Sequence, residues 1–282
     1  MATTVSFEPA ASRLFLFEEV YPFRAAEEQA EKQKLGAFGM IAKFNLLNRP
    51  KIETVTLSKK ERRLEPFWLV EARRAVDFRC EATYQVPVDN RHAQRIELSG
   101  SHYEVQRRGE RSFVEVKVRE HCHRKLDFCT FLDALKREIR PQTLQAYVAR
   151  YKCAEIERIQ PDDAVDLLLP MASVIQIATS KLAGEAINAS EIEADELRFE
   201  KTHLFWRPVY AFEYIWTTTG RTGVIEVDGL TGEIVQNGTW FKDKLERVLT
   251  PEMMFEAGAE VAGALVPGGS VAVKVIARLA TP

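Results

Sequence analysis

The sequence predicts an α+β protein with two small antiparallel-sheet units, packing helices and a C-terminal helical hairpin. Short runs within residues 51–125 alternate apolar and polar side chains between turn residues, which is typical of an antiparallel meander. Residues 209–216 and 223–235 are aromatic or β-branched runs on either side of a polar turn, so they predict a second sheet unit. Apolar residues at helical spacing occupy the segment between the two units.

The composition indicates which classes of protein the chain can belong to. The 282 residues are 46% hydrophobic and 28% charged, which is typical of a folded chain long enough for two modest domains. The formal net charge is −2, and acidic residues lie close to each basic pair, so we expect no nucleic-acid partner. We recognise no signal peptide and no transmembrane run, and the four cysteines match no disulfide framework. These observations predict a cytoplasmic protein with reduced thiols.

The first two segments are assigned from local patterns. Residues 1–50 are predicted to be an N-terminal helical segment, because residues 25–34 are strong helix formers and residues 48–50 (Asn-Arg-Pro) are a stop signal. Residues 51–125 are predicted to be an antiparallel β unit. Its predicted strands cover residues 52–57, 67–70, 81–88, 95–98, 103–106 and 112–118.

The next two segments continue the alternation of helix and sheet. Residues 126–160 are predicted to be a helical connector, because the spacing of their apolar residues is helical and Pro141 can occupy the first turn of a second helix. The residues that carry this spacing are Phe128, Phe131, Leu132 and Leu135. Residues 161–249 are predicted to be a second α+β unit, with helices at 174–182 and 240–249 around three strands.

Residues 161–240 resemble a PepSY-type domain. The resemblance rests on an aromatic strand followed by a strand that ends in a Val-Asp-x-x-Thr-Gly-Glu turn. The matching residues are Tyr210, Phe212, Tyr214, Val227, Asp228, Thr231, Gly232 and Glu233. The side chain of Asp228 can accept backbone N–H bonds in the turn, and Gly229 or Gly232 can adopt positive φ. The resemblance implies a binding or inhibitory accessory domain and supplies no catalytic residues.

The run from His121 to His123 resembles a metal-binding pattern. His121 and His123 would lie on one face of a strand and Cys122 on the other, and Cys80 or His102 could complete a ligand shell. The spacing of a structural zinc site is absent, so a metal enzyme at His121 and His123 is only an alternative, as is activation of the Cys122 thiol by the histidines. We predict no catalytic residue, no cofactor and no resident metal.

Residues 250–282 carry the functional prediction. Thr250 and Pro251 begin a helix, the run 255–266 is apolar and rich in small residues, and residues 267–269 predict the turn of a hairpin. Such short helices are not stable alone in water, so they must dock on the body, on another chain or on a membrane surface. The predicted protein contacts are Phe255, Val261, Leu265, Val275, Ile276 and Leu279.

These features favour a non-catalytic cytoplasmic accessory protein that acts by protein–protein binding or by self-assembly, with the sheet faces and the tail as its contact surfaces. One alternative is a small-molecule or lipid-binding protein with a cavity between sheet and helices. The other is the metal enzyme at His121 and His123.

Overall fold

The protein is described by a computed structural model that covers residues 3–8, 10–39, 49–264 and 274–275. The chain begins with strands β1 (Thr4–Phe7) and β2 (Ser12–Phe17), followed by helix α1 (Phe23–Lys32) and a 3₁₀ helix, Lys34–Phe38. The predicted helical segment 1–50 therefore starts as sheet. Alternating burial along β1 explains this, because its apolar residues enter the core while their neighbours are half-exposed.

The middle of the chain is dominated by very long strands. They are β3 (Val55–Pro87), β4 (Arg95–Leu98), β5 (Ser101–Glu104), β6 (Gln106–Arg108) and β7 (Arg111–Asp133). The remaining elements are α2 (Pro141–Arg150), β8 (Cys153–Ile156), α3 (Met171–Ala183), β9 (Glu191–Trp216), β10 (Arg221–Asp228), β11 (Ile234–Gln236), α4 (Pro251–Ala264) and β12 (Lys274–Val275).

A single mixed sheet unites ten of these strands, and β4 with β5 forms a separate hairpin. Strand β9 organises the sheet. One of its edges pairs antiparallel with β3, and the other pairs in succession with β1, β2 and β10. Strand β3 in turn pairs antiparallel with β7, from Phe67 opposite Asp133 to Pro87 opposite Phe113.

The prediction of two small antiparallel-sheet units is wrong. Strands β3 and β9 pair from Val55 opposite Trp216 to Arg79 opposite Glu191, so both halves of the chain belong to one sheet. The sequence suggested several short strands in place of β3 because charged runs interrupt its apolar residues. In the structure the strand continues through those runs, and Arg73 forms ion pairs with Asp127 on β7 and Glu200 on β9.

Two prolines lie inside the long strands without breaking them. Pro66 occupies β3 just past the end of β7, where its carbonyl accepts a hydrogen bond from the N–H of Ala134. Pro208 occupies β9 just past the end of β10, where its carbonyl accepts a bond from the N–H of Gly229. Each proline therefore lies where no residue of the neighbouring strand is available to accept an N–H hydrogen bond. Pro66 does not mark a strand boundary.

The helices pack on both faces of the sheet. Helices α3 and α4 cover a core that includes Trp68 and Trp206, and α1 covers the aromatic residues of β9 beyond Val209. Helix α2 covers the opposite face, where Phe67, Phe205 and Tyr147 pack together. None of the described helices combines the length and the apolar character that crossing a bilayer requires.

Two predicted helices are strand or irregular chain in the structure. Residues 126–133 form the last part of β7, so the connector becomes helical only at Pro141. Residues 240–249 contain no helix and instead make isolated bridges, Lys244 with Val165 and Leu249 with Ile159. Phe128 and Leu132 pack against the main core and Phe131 packs on the opposite face of β7, so apolar residues on both faces of the strand reproduced helical spacing.

The predicted C-terminal hairpin is correct only in its first helix. Helix α4 begins at Pro251, and the hydroxyl of Thr250 accepts the N–H of Met253, as a cap residue would. Residues 265–273 and 276–282 lie outside the described part of the chain. Between them, Lys274 and Val275 form strand β12 in parallel with Ser6 and Phe7, where the sequence predicted helix.

Candidate functional site

The predicted contact residues of the tail are described in part. Phe255 packs against the main core, and its ring meets that of Phe7 edge-on at a centroid distance of 5.5 Å. Leu265, Ile276 and Leu279 lie outside the described residues, as do the side chains of Val261 and Val275. The part of α4 that is described therefore docks on the body of its own chain, and the tail contacts stay a prediction.

The turn behind the PepSY-type resemblance has the predicted geometry. Asp228 Oδ1 accepts hydrogen bonds from the N–H groups of Leu230 at 2.8 Å and Thr231 at 3.0 Å. Gly232 has a φ of 73°, in the left-handed region that favours glycine. The capping role predicted for Asp228 is confirmed, and Gly232 rather than Gly229 takes the positive φ.

Asp228 also belongs to a buried ion cluster that the sequence analysis missed. The carboxylate of Glu65, which is fully buried, bonds Arg63, Arg137 and Arg207 at 2.7–2.8 Å. Burial alone would raise the pKa of Glu65, but the three guanidinium groups outweigh it and lower the pKa to about 2. The signal was available in part, because Arg63 and Glu65 are two residues apart in β3 and therefore share one face of the strand.

This cluster is well satisfied, which favours a structural role. Arg63 also bonds Glu226 at 2.7 Å and the carbonyl of Thr239 at 3.0 Å, and its guanidinium lies 4.8 Å from the ring centre of Phe241. Arg207 bonds Asp228 as well as Glu65. Because each charge has an opposite partner within hydrogen-bond distance, the cluster offers no free group to a substrate.

His121 and His123 lie on one face of β7, as predicted, and Cys122 lies on the opposite face. His123 Nδ1 lies 2.6 Å from Oδ1 of Asp77, directly opposite on β3. His121 Nδ1 lies 3.8 Å from a carboxylate oxygen of Glu193. Cys80 does not approach the histidines. It joins Cys122 and Glu120 on the reverse face, the one place in the described chain where three such ligand atoms converge.

Beyond these clusters, β3 and β7 continue as a two-stranded ribbon formed by residues 80–87 and 113–120. Strand β9 begins at Glu191, opposite Arg79, so within the described residues no strand pairs with β3 from residue 81 to residue 87. We call this side of residues 81–87 the open edge. Tyr84 and Val86 on the ribbon are 51% and 42% exposed.

The direction of the backbone groups along the open edge follows from the register. Val88 donates its N–H to Ser112, and Pro66 accepts from Ala134, so even-numbered residues of β3 direct their N–H and C=O toward β7. Odd-numbered residues direct them the opposite way, as Arg79 does when its carbonyl accepts the N–H of Ser190. Thr83 and Gln85 therefore present free backbone donors and acceptors at the open edge.

The two faces of the ribbon differ in character. Ala82, Tyr84 and Val86 lie opposite Val118, Val116 and Val114, and these residues form an apolar face. Thr83 and Gln85 lie on the other face, opposite Lys117 and Glu115. A strand with a free edge, an apolar face and a polar face has the features of a site that accepts another strand.

Two clefts on the described surface differ from the enclosed cavity that the small-molecule alternative requires. One cleft of about 660 Å³ lies between β2, β8 and the start of α4, and its lining includes Arg13, Glu155 and Glu252. Another of about 470 Å³ lies at the tip of the ribbon, between residues 85–91 and 110–113. Both are open to solvent, whereas Trp68, Val174 and Ile175 fill the space between the sheet and α3.

Comparisons of the chain with protein-family models, with curated proteins and with solved structures each found no match. The PepSY-type resemblance of residues 161–240 therefore stays a prediction.

Proposed function

We propose that this protein is a non-catalytic binding protein that assembles as a two-fold homodimer by pairing the open edges of two copies. The observation that carries the proposal is the unpaired side of β3 from residue 81 to residue 87. An unpaired edge of this length exposes regularly spaced donors and acceptors, which a second strand can satisfy.

The sequence of the edge is complementary to itself. In an antiparallel pair with the two-fold axis at Tyr84, Thr83 of one copy lies opposite Gln85 of the other, and the two exchange backbone hydrogen bonds. Ala82 then lies opposite Val86 on the apolar face, and Tyr84 meets its own copy at the axis. No like charges oppose each other in this register, and Glu81 faces Pro87.

Pairing in this register also covers exposed apolar surface. Tyr84 would contact Tyr84 of the second copy, Val86 would lie opposite Ala82, and the two ribbons would join into one four-stranded ribbon. Cross-strand contacts between aromatic and β-branched residues stabilise sheets, so both the backbone and the apolar face favour the same partner.

The four free thiols support a reducing compartment such as the cytoplasm for this assembly.

A proline substitution tests the edge. Thr83→Pro removes an N–H that points to the open edge and leaves the β3–β7 hydrogen bonds in place. Light scattering should give twice the 32.1 kDa mass of one chain for the unmodified protein and the single-chain mass for Thr83→Pro. Thr83→Val, the matched control, keeps the N–H and should remain a dimer. An unmodified protein that is monomeric at high micromolar concentration would refute the proposal.

A cross-linking experiment tests the register. In a chain whose four cysteines are replaced by serine, Tyr84→Cys places two thiols directly opposite each other at the two-fold axis, where a disulfide fits. Mild oxidation should give a covalent dimer. Ala82→Cys is the control, because its thiol lies opposite Val86 of the second copy and should cross-link far less. Equal cross-linking of both variants, or none with Tyr84→Cys, contradicts the proposed register.

A further inference from the structure

The base of the ribbon brings together two cysteines and a carboxylate from distant parts of the chain. Cys80 of β3 lies directly opposite Glu120 of β7, and Cys122 follows two residues later on the same face. The two Sγ atoms and a carboxylate oxygen of Glu120 all lie within 4.8 Å of one another. All three side chains are half-buried, so an ion from solution can reach them.

The register disfavours a disulfide between these cysteines. Cys122 lies opposite Phe78, so Cys80 and Cys122 are diagonal neighbours on the two strands. Diagonal neighbours have Cα atoms roughly 7–8 Å apart, whereas a disulfide needs a separation below about 6.8 Å. A metal ion bound to both sulfurs spans a longer distance, because each bond from zinc to sulfur is about 2.3 Å.

Neighbouring groups hold the three side chains in place. The hydroxyl of Tyr84 donates a hydrogen bond to Glu120, and the thiol of Cys80 donates one of 3.0 Å to the carbonyl of Asn188. Arg124, two residues beyond Cys122 on the same face, donates a bond of 3.0 Å to the carbonyl of Ala186. These contacts hold residues 186–188 over the base of the ribbon, beside Cys80.

We infer that Cys80, Glu120 and Cys122 bind one thiophilic divalent cation of the zinc class, with a fourth position open to water or to a ligand from a partner. Two thiolates and one carboxylate suit zinc better than calcium or magnesium, which prefer oxygen ligands alone. Each thiol releases its proton to the solvent as its sulfur binds the ion, so the bond to the metal replaces the hydrogen bond from Cys80 to Asn188.

The bound ion would join β3 to β7 next to the first residue of β9, where the two-stranded ribbon leaves the sheet. It would stiffen the ribbon at its base. The inference uses residues on both strands of the ribbon and none of the free backbone groups of the open edge, so it holds whether or not two copies pair.

Cobalt provides a direct test with the full chain, because a cobalt–thiolate bond produces a charge-transfer absorption in the near ultraviolet. The reduced protein should take up one Co²⁺ per chain with that absorption, and Zn²⁺ should displace it. Cys80→Ser and Cys122→Ser should each weaken binding by more than about 100-fold, since loss of a direct ligand exceeds the usual effect of losing an outer-shell group. Glu120→Gln should weaken binding while keeping the sulfur absorption.

Matched variants separate this site from other metal-binding groups. Cys129→Ser and Cys153→Ser remove the other two thiols and should leave binding unchanged. His121→Ala with His123→Ala removes the histidines of the opposite face and should also leave it unchanged. The inference is overturned if the unmodified protein shows no thiolate absorption with cobalt, or if the histidine variant loses the metal and the Cys80 and Cys122 variants do not.

Discussion

The hydroxyl of Tyr147 donates a hydrogen bond of 2.7 Å to Oδ2 of Asp228, and this contact joins α2 to the turn after β10. The same carboxylate pairs with Arg207 through Oδ2 and accepts two backbone N–H groups of its turn through Oδ1. One side chain therefore connects a helix, a long strand and a tight turn inside the buried ion cluster.

Removing this carboxylate should destabilise the fold strongly. Asp228→Ala leaves Arg207 with one acidic partner fewer in a buried site and leaves two turn N–H groups without their acceptor, so we expect a loss of about 3–5 kcal/mol in the free energy of unfolding. Urea titration followed by circular dichroism measures it. Glu233→Ala, at an exposed acid of the same turn, should change it by less than about 0.5 kcal/mol. Similar small losses in both variants would contradict this role for Asp228.

The Tyr147 hydrogen bond can be tested without creating a large cavity. Tyr147→Phe removes one donor to a charged acceptor, so unfolding free energy should fall by about 2 kcal/mol. Tyr151→Phe, at the half-buried residue that ends the same helix, is the control and should have an effect within about 0.5 kcal/mol. The prediction is wrong if Tyr147→Phe is as stable as the unmodified protein in the same urea titration.

Glu65 should make stability sensitive to acid. Its pKa is lowered in the folded state to about 2, below the ordinary value of 4.5, so the unfolded chain binds the proton more readily. The stabilisation is complete above the unfolded pKa and is lost as the pH falls from about 5 toward 2. Its size is on the order of 3 kcal/mol.

The pH dependence is measured by comparing the unmodified protein with Glu65→Gln in urea at several pH values. The difference in unfolding free energy should be largest near neutral pH and should shrink below pH 5, as the carboxylate of Glu65 becomes protonated in the unfolded chain. A difference that stays constant down to pH 3 would show that the charge of Glu65 does not carry the effect.

Two adjacent methionines test whether α4 belongs to the core. Met254 is 2% exposed and belongs to the main core, whereas Met253 is 42% exposed. Met254→Ala should lower the unfolding free energy by about 2–5 kcal/mol, because a buried side chain is removed and a cavity remains. Met253→Ala should change it by less than about 0.5 kcal/mol. Equal thermal stability of both variants would mean that α4 does not dock on the body.

The sequence by itself determined the local features of this protein. Four features follow from rules that act over a few residues: the cap and first turn of α4 at Thr250 and Pro251, the helix formers of α1, the Asp228 turn, and the opposite orientations of Cys122 and its flanking histidines. Each depends on backbone geometry and hydrogen bonds within a single element, so a short stretch of chain contains the needed information.

Only the tertiary structure decided how the elements combine. The pairing of β3 with β9 along their length, the meeting of Glu65 with Arg137 and Arg207, and the approach of Cys80 to Glu120 and Cys122 all join residues far apart in the chain. Charged runs inside β3 indicated strand ends when taken alone, but ion pairs such as those of Arg73 with Asp127 and Glu200 accommodate the charges within one strand. The open edge likewise exists because β9 starts opposite Arg79, and strand register is set by long-range packing that local periodicity does not contain.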